Sequence, residues 1–70
     1  MNRTQQEYLS KDLLRYGFFK ADITTDEKDG CRRIRVIEYQ GKKYFHHMFN
    51  GELVECFEVW EDWKILLYGK

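Results

Sequence analysis

The 70-residue chain has no proline, only two cysteines and a formal net charge of zero. The absence of proline is compatible with ordered strands and gives no sign of a proline-rich linker. No apolar run approaches the ~20 residues that a membrane helix needs, and no apolar segment follows Met1 as in a signal peptide. We therefore expect a cytoplasmic protein with reduced thiols that does not bind membranes. Its length predicts one domain over residues 1–70.

The usual catalytic and metal-binding patterns are missing as well. Ser10 is the only serine, and the chain has neither a glycine-rich phosphate loop nor a His-Glu-x-x-His pattern. His46 and His47 are adjacent on a predicted strand, so they point to opposite faces and cannot share one metal ion. Pairing His47 with a diagonal Cys56 gives two ligands, where a structural zinc site needs four. We predict no enzyme activity, no metal, no cofactor and no small-molecule substrate.

The N-terminal segment predicts an amphipathic helix from about Gln5 to Tyr16. Thr4 and Glu7 have the spacing of a capping box, in which each side chain satisfies the other residue's amide. The apolar stripe of this helix has helical spacing and consists of Leu9, Leu13, Leu14 and Tyr16. Gly17 fits the left-handed position after a helix end, with Phe18 packing back on Leu13.

The remainder of the chain predicts an antiparallel meander. A first strand alternates Phe19, Ala21 and Ile23 with polar residues, and a polar loop over residues 26–30 follows. The dipeptides Gln40-Gly41 and Asn50-Gly51 then separate three β-prone runs. Asn-Gly is a strong hairpin signal, since a type I′ turn needs positive φ at both central residues. Residues 61–70 fit either a fifth strand or a helical turn capped by Asp62.

Two-residue turns fix a register, and the register sorts the side chains onto two faces. We expect the helix to cover the face formed by Phe19, Ala21, Ile23, Ile34, Val36, Phe45, Phe49, Val54, Cys56 and Trp60. In this register Phe45 lies beside Cys56, and Cys31 and Cys56 lie on opposite faces, which excludes a disulfide. The predicted fold class is α+β, with an N-terminal helix packed on one face of an antiparallel four- to five-stranded β-meander.

The other predicted face is too apolar to be an ordinary solvated surface. Its residues are Lys20, Arg33, Arg35, Ile37, Tyr39, Tyr44, His46, Met48, Leu53, Glu55, Phe57 and Val59. Exposed apolar patches of this kind are uncommon on monomers, so either a partner or the C-terminal segment should cover it. Aromatic, Met and Arg side chains are enriched at interfaces. The expected partner-binding residues are Arg33, Arg35, Tyr39, Tyr44, His46, Met48 and Phe57.

These observations predict a non-enzymatic protein-protein interaction module that binds a protein partner or a second copy of itself. Its size also suits a small accessory or inhibitor protein of a bacterium or mobile element. The alternative is a small nucleic-acid-binding accessory protein that uses a basic and aromatic sheet face. Its basic run is Arg32, Arg33, Arg35, Lys42 and Lys43, with Tyr39, Tyr44 and His46 among them. Against this alternative, Lys43 lies between Glu38 and Glu58 in the predicted register, and such acidic neighbours neutralise much of the basic charge.

Overall fold

The computed structural model describes residues 3–60, with side chains described from Thr4 onward. One helix precedes four strands: α1 (Arg3–Tyr16), β1 (Phe18–Glu27), β2 (Gly30–Tyr39), β3 (Lys42–Phe49) and β4 (Glu52–Glu58). The strands form one antiparallel sheet in the order β1-β2-β3-β4, and α1 packs on one face of it. The predicted α+β fold is confirmed. The two alternatives for residues 61–70 lie outside the described residues.

Both predicted glycine-containing turns are confirmed. Gln40 and Gly41 have φ values of 53° and 78°, and Asn50 and Gly51 have values of 53° and 81°. Positive φ at both central residues is the type I′ pattern, whose twist matches that of the flanking strands. The Asn50 Oδ1 atom also accepts a hydrogen bond from the Cys31 amide at 2.9 Å, which ties the second turn to the start of β2.

Gly51 is at an open position, so a substitution there tests the backbone alone. A Cβ at this residue would meet nothing within 4 Å. We expect Gly51→Val to lower the free energy of unfolding by about 2 kcal/mol, because a β-branched residue resists positive φ. Gly51→Asn is the control and should cost clearly less. Equal urea midpoints for the two variants would contradict a positive-φ turn in solution.

The predicted pairing of β2 with β3 is confirmed along its whole length. Ile37 lies opposite Tyr44, and Arg35 lies opposite His46. The pairing of β3 with β4 follows the prediction only near the turn, because Val54 is the extra residue of a bulge.

Beyond this bulge β4 is shifted by one residue, and the predicted register is wrong there. Phe45 lies opposite Phe57, not Cys56, and the two rings stack with centroids 5.1 Å apart. Cys56 lies opposite His46 instead. Since successive residues point to opposite faces, the shift moves Cys56 and Phe57 to the faces opposite to those predicted.

A second bulge changes the start of β1. Phe19 pairs with Ile37, whereas Ala21 pairs with Val36, so Lys20 is the extra residue. Ala21 and Val36 share a face as predicted, but Phe19 lies on the other one. The predicted alternation is therefore wrong at Phe19.

The helix covers the face that carries Ile37, which is called the helix-side face below. Leu13, Ile37 and Cys56 form its fully buried core, with Leu9, Tyr39, Tyr44 and Leu53 packed around them. The opposite face, called the outer face below, carries Ile34, Val36, Phe45, His47, Phe49 and Phe57. The predicted placement of the helix over the Val36 face is wrong.

Polar groups on the helix explain this choice of face. Gln6, Leu9, Ser10 and Leu13 have the spacing of one helical stripe. The Gln6 side chain accepts a hydrogen bond from the Cys56 amide at 3.2 Å, and Ser10 reaches His46. A stripe that is half polar is most stable on a face that offers these partners. Leu14 and Tyr16, which the predicted stripe includes, are exposed instead.

The predicted helix and its end at Tyr16 are confirmed, but the predicted capping at both ends is wrong. The helix already includes Arg3, so Thr4 lies within its first turn and is not the N-cap. Gly17 does not have positive φ, and Phe18 is exposed rather than packed on Leu13. Glycine is required at position 17 for another reason. A Cβ there would collide with Ile37 Cγ2 and would lie 2.5 Å from the Leu13 carbonyl oxygen.

This close approach predicts that Gly17→Ala destabilises the protein. We expect a loss of about 2 kcal/mol in the free energy of unfolding, the usual scale for overpacking a tight contact. The sign of the change in unfolding free energy is informative, because replacing glycine with alanine stabilises a protein by up to about 1 kcal/mol where the Cβ fits. A urea midpoint above that of the wild type would show that α1 does not approach Ile37 this closely.

Candidate functional site

The sheet register assigns six of the seven predicted partner-binding residues to the helix-side face. They are Arg33, Arg35, Tyr39, Tyr44, His46 and Met48. Phe57 is on the outer face because of the Val54 bulge, so the expected single surface of seven residues is wrong. His46 has no exposed surface at all. The large apolar content that suggests an interface here partly reflects packing against α1.

Ser10 and His46 form a buried polar contact beneath the helix. Ser10 Oγ and His46 Nε2 are 2.6 Å apart, and both residues are buried. Burial is the main cause that lowers the pKa of His46 to about 4, and the nearby charges of Arg35 and His47 add to it. His46 Nδ1 is buried and has no hydrogen-bond partner among the described residues.

This pair resembles part of a catalytic triad only in composition. A general base works best when its pKa is near the operating pH, and it must reach the substrate. His46 meets neither condition, since its pKa is low and it has no exposed surface. The Ser10–His46 contact instead joins α1 to the middle of β3. No local sequence pattern indicates this contact, because it depends on which face of the sheet the helix covers.

The two thiols lie on the same face of the sheet, in contrast to the prediction. Cys31 follows the alternation of Arg33 and Arg35, and Cys56 lies opposite His46. Both are free cysteines, and they belong to β2 and β4, which are not adjacent. Burial raises the pKa of Cys56 to about 11, so this thiol is protonated at neutral pH.

Arginines on β2 are paired with carboxylates of β1. Arg33 donates two hydrogen bonds to Asp22, at 2.9 and 2.7 Å, and Arg32 donates two to Glu27, at 2.5 and 3.0 Å. The hydrogen bonds from the guanidinium groups are the main cause that lowers the pKa of both carboxyl groups. The basic run of β2 is therefore largely neutralised within the chain.

A groove of about 380 Å³ lies on the helix-side face where α1 does not cover the sheet. It is lined by Thr24, Cys31, Arg33, Arg35, Met48 and Gly51. The Arg35 side chain is about nine-tenths buried, and its Nε atom has no hydrogen-bond partner among the described residues. Asp22 Oδ1 lies 3.6 Å from this atom, and the Arg35 guanidinium lies over the Phe19 ring. Burial is also the main cause that lowers the pKa of Arg35.

A second surface feature lies where α1 passes into β1. Four large apolar side chains within six consecutive residues are exposed, and we call them the aromatic corner: Leu14, Tyr16, Phe18 and Phe19. Tyr16 and Phe18 are 66% and 68% exposed. Cations lie over all three rings: Arg15 is 5.9 Å from the Tyr16 centroid, Lys20 is 5.3 Å from that of Phe18, and Arg35 is 5.2 Å from that of Phe19. Sequence reasoning missed this surface because it assigned Leu14, Tyr16 and Phe19 to the core.

Other kinds of site are not seen in the part of the chain that the structure describes. Within residues 3–60, no three His, Cys, Asp or Glu side chains are grouped so that they could hold a metal ion. The described helix is neither long nor apolar enough to span a membrane.

Comparison with known proteins identifies no relative of this chain. No protein-family model, no curated protein and no solved structure matches this chain.

Proposed function

We propose that this protein is a non-enzymatic protein-interaction module that associates with a second copy of itself. The observation that carries the proposal is the aromatic corner at the start of β1. Rings beside basic side chains are characteristic of interface hot spots, and they are unusual on a surface that stays in water. The buried state of the Ser10–His46 pair supports a binding role over a catalytic one.

The position of β1 favours a second copy as the partner. β1 is an edge strand of the described sheet, and none of its ten residues is buried. An exposed edge can pair with another strand through its backbone groups. If two β1 strands pair in antiparallel fashion about a twofold axis at Ile23, the Lys20 bulge of each copy lies beside Asp26 of the other, so that these two charges are neighbours across the interface. Opposite charges stabilise such cross-strand pairs, and an aromatic corner flanks each end of the interface.

Sedimentation equilibrium over a concentration series tests this arrangement. We expect a species of twice 8.6 kDa, and we expect Tyr16→Ser or Phe18→Ser to weaken the dimer roughly tenfold. Tyr8→Ser is the matched control, because Tyr8 is also 66% exposed but lies eight residues before Tyr16 in α1, about 12 Å along the helix. A protein that remains monomeric throughout, or an equal effect of Tyr8→Ser, would contradict the proposal.

A charge exchange tests the register of the dimer. Lys20→Glu should weaken association, and the double variant Lys20→Glu with Asp26→Lys should restore it, because both cross-strand pairs are then reversed. Failure of the double variant to restore association would rule out pairing about Ile23. The intrachain pair between Lys20 and Glu38, at 3.6 Å, is exposed and contributes little to folding.

The contacts of the arginines weaken the alternative of nucleic-acid binding, which the sequence alone supports better. Arg32 and Arg33 already hold carboxylates, and α1 packs on the face that carries Arg35. We expect no saturable binding of a single-stranded oligonucleotide in a fluorescence anisotropy titration. Binding that weakens steeply between roughly 50 and 200 mM salt would make this alternative the better one.

A further inference from the structure

We propose that the groove on the helix-side face binds a small carboxylate with an apolar body, such as a short aliphatic acid. The carboxylate would lie against Arg33 and Arg35, and the apolar part would lie along Met48. The site uses side chains on the helix-side face, whereas the proposed self-association uses the backbone edge of β1, and the groove meets the aromatic corner at Arg35, which lies over the Phe19 ring. The inference therefore goes beyond the proposed self-association.

The first argument is the incomplete pairing of the buried arginine. Asp22 accepts two hydrogen bonds from Arg33, and it lies only within ion-pair distance of Arg35. Arg35 Nε is left buried without a hydrogen bond among the described residues. Such incomplete pairing of a mostly buried cation is costly, so a ligand carboxylate placed against the guanidinium groups of Arg33 and Arg35 would gain binding free energy.

The second argument is local charge. At the arginine end of the groove, two guanidinium groups share the single carboxylate of Asp22. A second carboxylate, that of Asp26, lies opposite Cys31 at the other end of the groove and interacts with that thiol. The arginine end therefore has one positive charge in excess. One excess charge suits a monoanion better than the doubly charged phosphate group.

The third argument is the shape and lining of the groove. Its volume of about 380 Å³ is within the range of small-molecule sites. Met48 and Cys31 supply polarisable apolar surface, and both are half-buried. An apolar body of a few carbon atoms would be removed from water here, whereas a free inorganic anion would gain nothing from this surface.

The test is a titration of the whole protein with hexanoate, followed by the methyl NMR signal of Met48. Hexanol is the uncharged probe of similar length, and inorganic phosphate is the anion without an apolar body. We expect saturable shifts of the Met48 methyl signal with hexanoate only. Equal shifts with hexanol, or phosphate binding as tight as that of hexanoate, would overturn the proposal.

Two variants change affinity in opposite directions, so the result does not depend on a loss of folding. Asp22→Asn removes the competing carboxylate and should tighten hexanoate binding roughly fivefold, whereas Arg33→Gln should weaken it by a similar factor. Glu27→Gln is the matched control, because it removes the carboxylate that holds Arg32 on the outer face. If Glu27→Gln tightens hexanoate binding as much as Asp22→Asn does, the affinity depends on the overall charge of the protein, and the proposed site is refuted.

The oligomeric state separates this inference from the proposed function. Sedimentation of the same samples shows whether the protein is a dimer. Hexanoate binding to a monomer would uphold the groove and refute self-association. A dimer whose Met48 signal is unaffected by hexanoate would uphold self-association and refute the groove as a binding site.

Discussion

Replacing Leu13 with alanine should lower the free energy of unfolding by about 3 kcal/mol, the usual cost of truncating a fully buried leucine. Leu13 has no exposed surface and joins α1 to Ile37 and Cys56. A domain of this size is stable by only about 5 kcal/mol, so the variant should be substantially unfolded on mild heating. Urea unfolding followed by circular dichroism measures the loss.

The adjacent residue provides the control for this prediction. Leu14 has the same side chain in the same helix, but it is 40% exposed. Leu14→Ala should therefore cost less than about 1 kcal/mol, since alanine also has the higher helix propensity. The two variants, Leu13→Ala and Leu14→Ala, together distinguish the observed orientation of the helix from one that buries Leu14 and Tyr16. If Leu14→Ala is the more damaging change, α1 is rotated on the sheet relative to the structure.

The parts of the fold that sequence reasoning predicted correctly depend on local chemistry. Asn50-Gly51 specifies a type I′ turn because few residue pairs accept positive φ at both positions. The register of β2 with β3 then follows from the turn at Gln40-Gly41, since both strands are regular between the turns. Turn-forming residues determine the backbone only at their own and neighbouring positions. Their effect can therefore be predicted from a single sequence.

The errors come from bulges, which leave no reliable local signal. Val54 and Lys20 are ordinary strand residues in the sequence, yet each adds one residue to its strand and moves its neighbours to the other face. The two shifts moved Phe19 and Phe57 between faces. A predicted surface that depends on alternation is therefore wrong beyond the first bulge, even when the strands themselves are correct.

The choice of helix face was a separate error with a physical cause. Counting apolar residues favoured the Val36 face, because Phe45 and Ile34 share it. The helix instead packs where its polar groups find partners, through Gln6 on the Cys56 amide and Ser10 on His46. Buried polar groups without partners are costly enough to outweigh a modest difference in apolar content. The same choice leaves the aromatic corner and the arginine groove exposed.

Because the His46 imidazole is buried, we expect the protein to lose stability in mild acid. The pKa of His46 is about 4 in the folded chain, below its ordinary value of 6.5. The unfolded chain therefore binds a proton between these pH values that the folded chain does not bind. Stability is fully present above pH 6.5 and declines as the pH falls toward 4. From the size of the shift, the full loss amounts to about 3 kcal/mol.

Urea unfolding at pH 7 and at pH 4.5 measures this loss, and two variants assign it. His46→Gln keeps a polar group facing Ser10 but cannot be protonated, so its stability should fall clearly less over this interval. His47→Gln leaves the Ser10–His46 contact in place and should retain the steep loss. Protonation of the paired carboxylates of Asp22 and Glu27, whose pKa values are lowered, also destabilises the folded protein in acid. Wild type and His46→Gln share this contribution. If wild type and His46→Gln lose stability equally, the imidazole is not buried in the neutral form, and the packing of α1 over β3 is wrong.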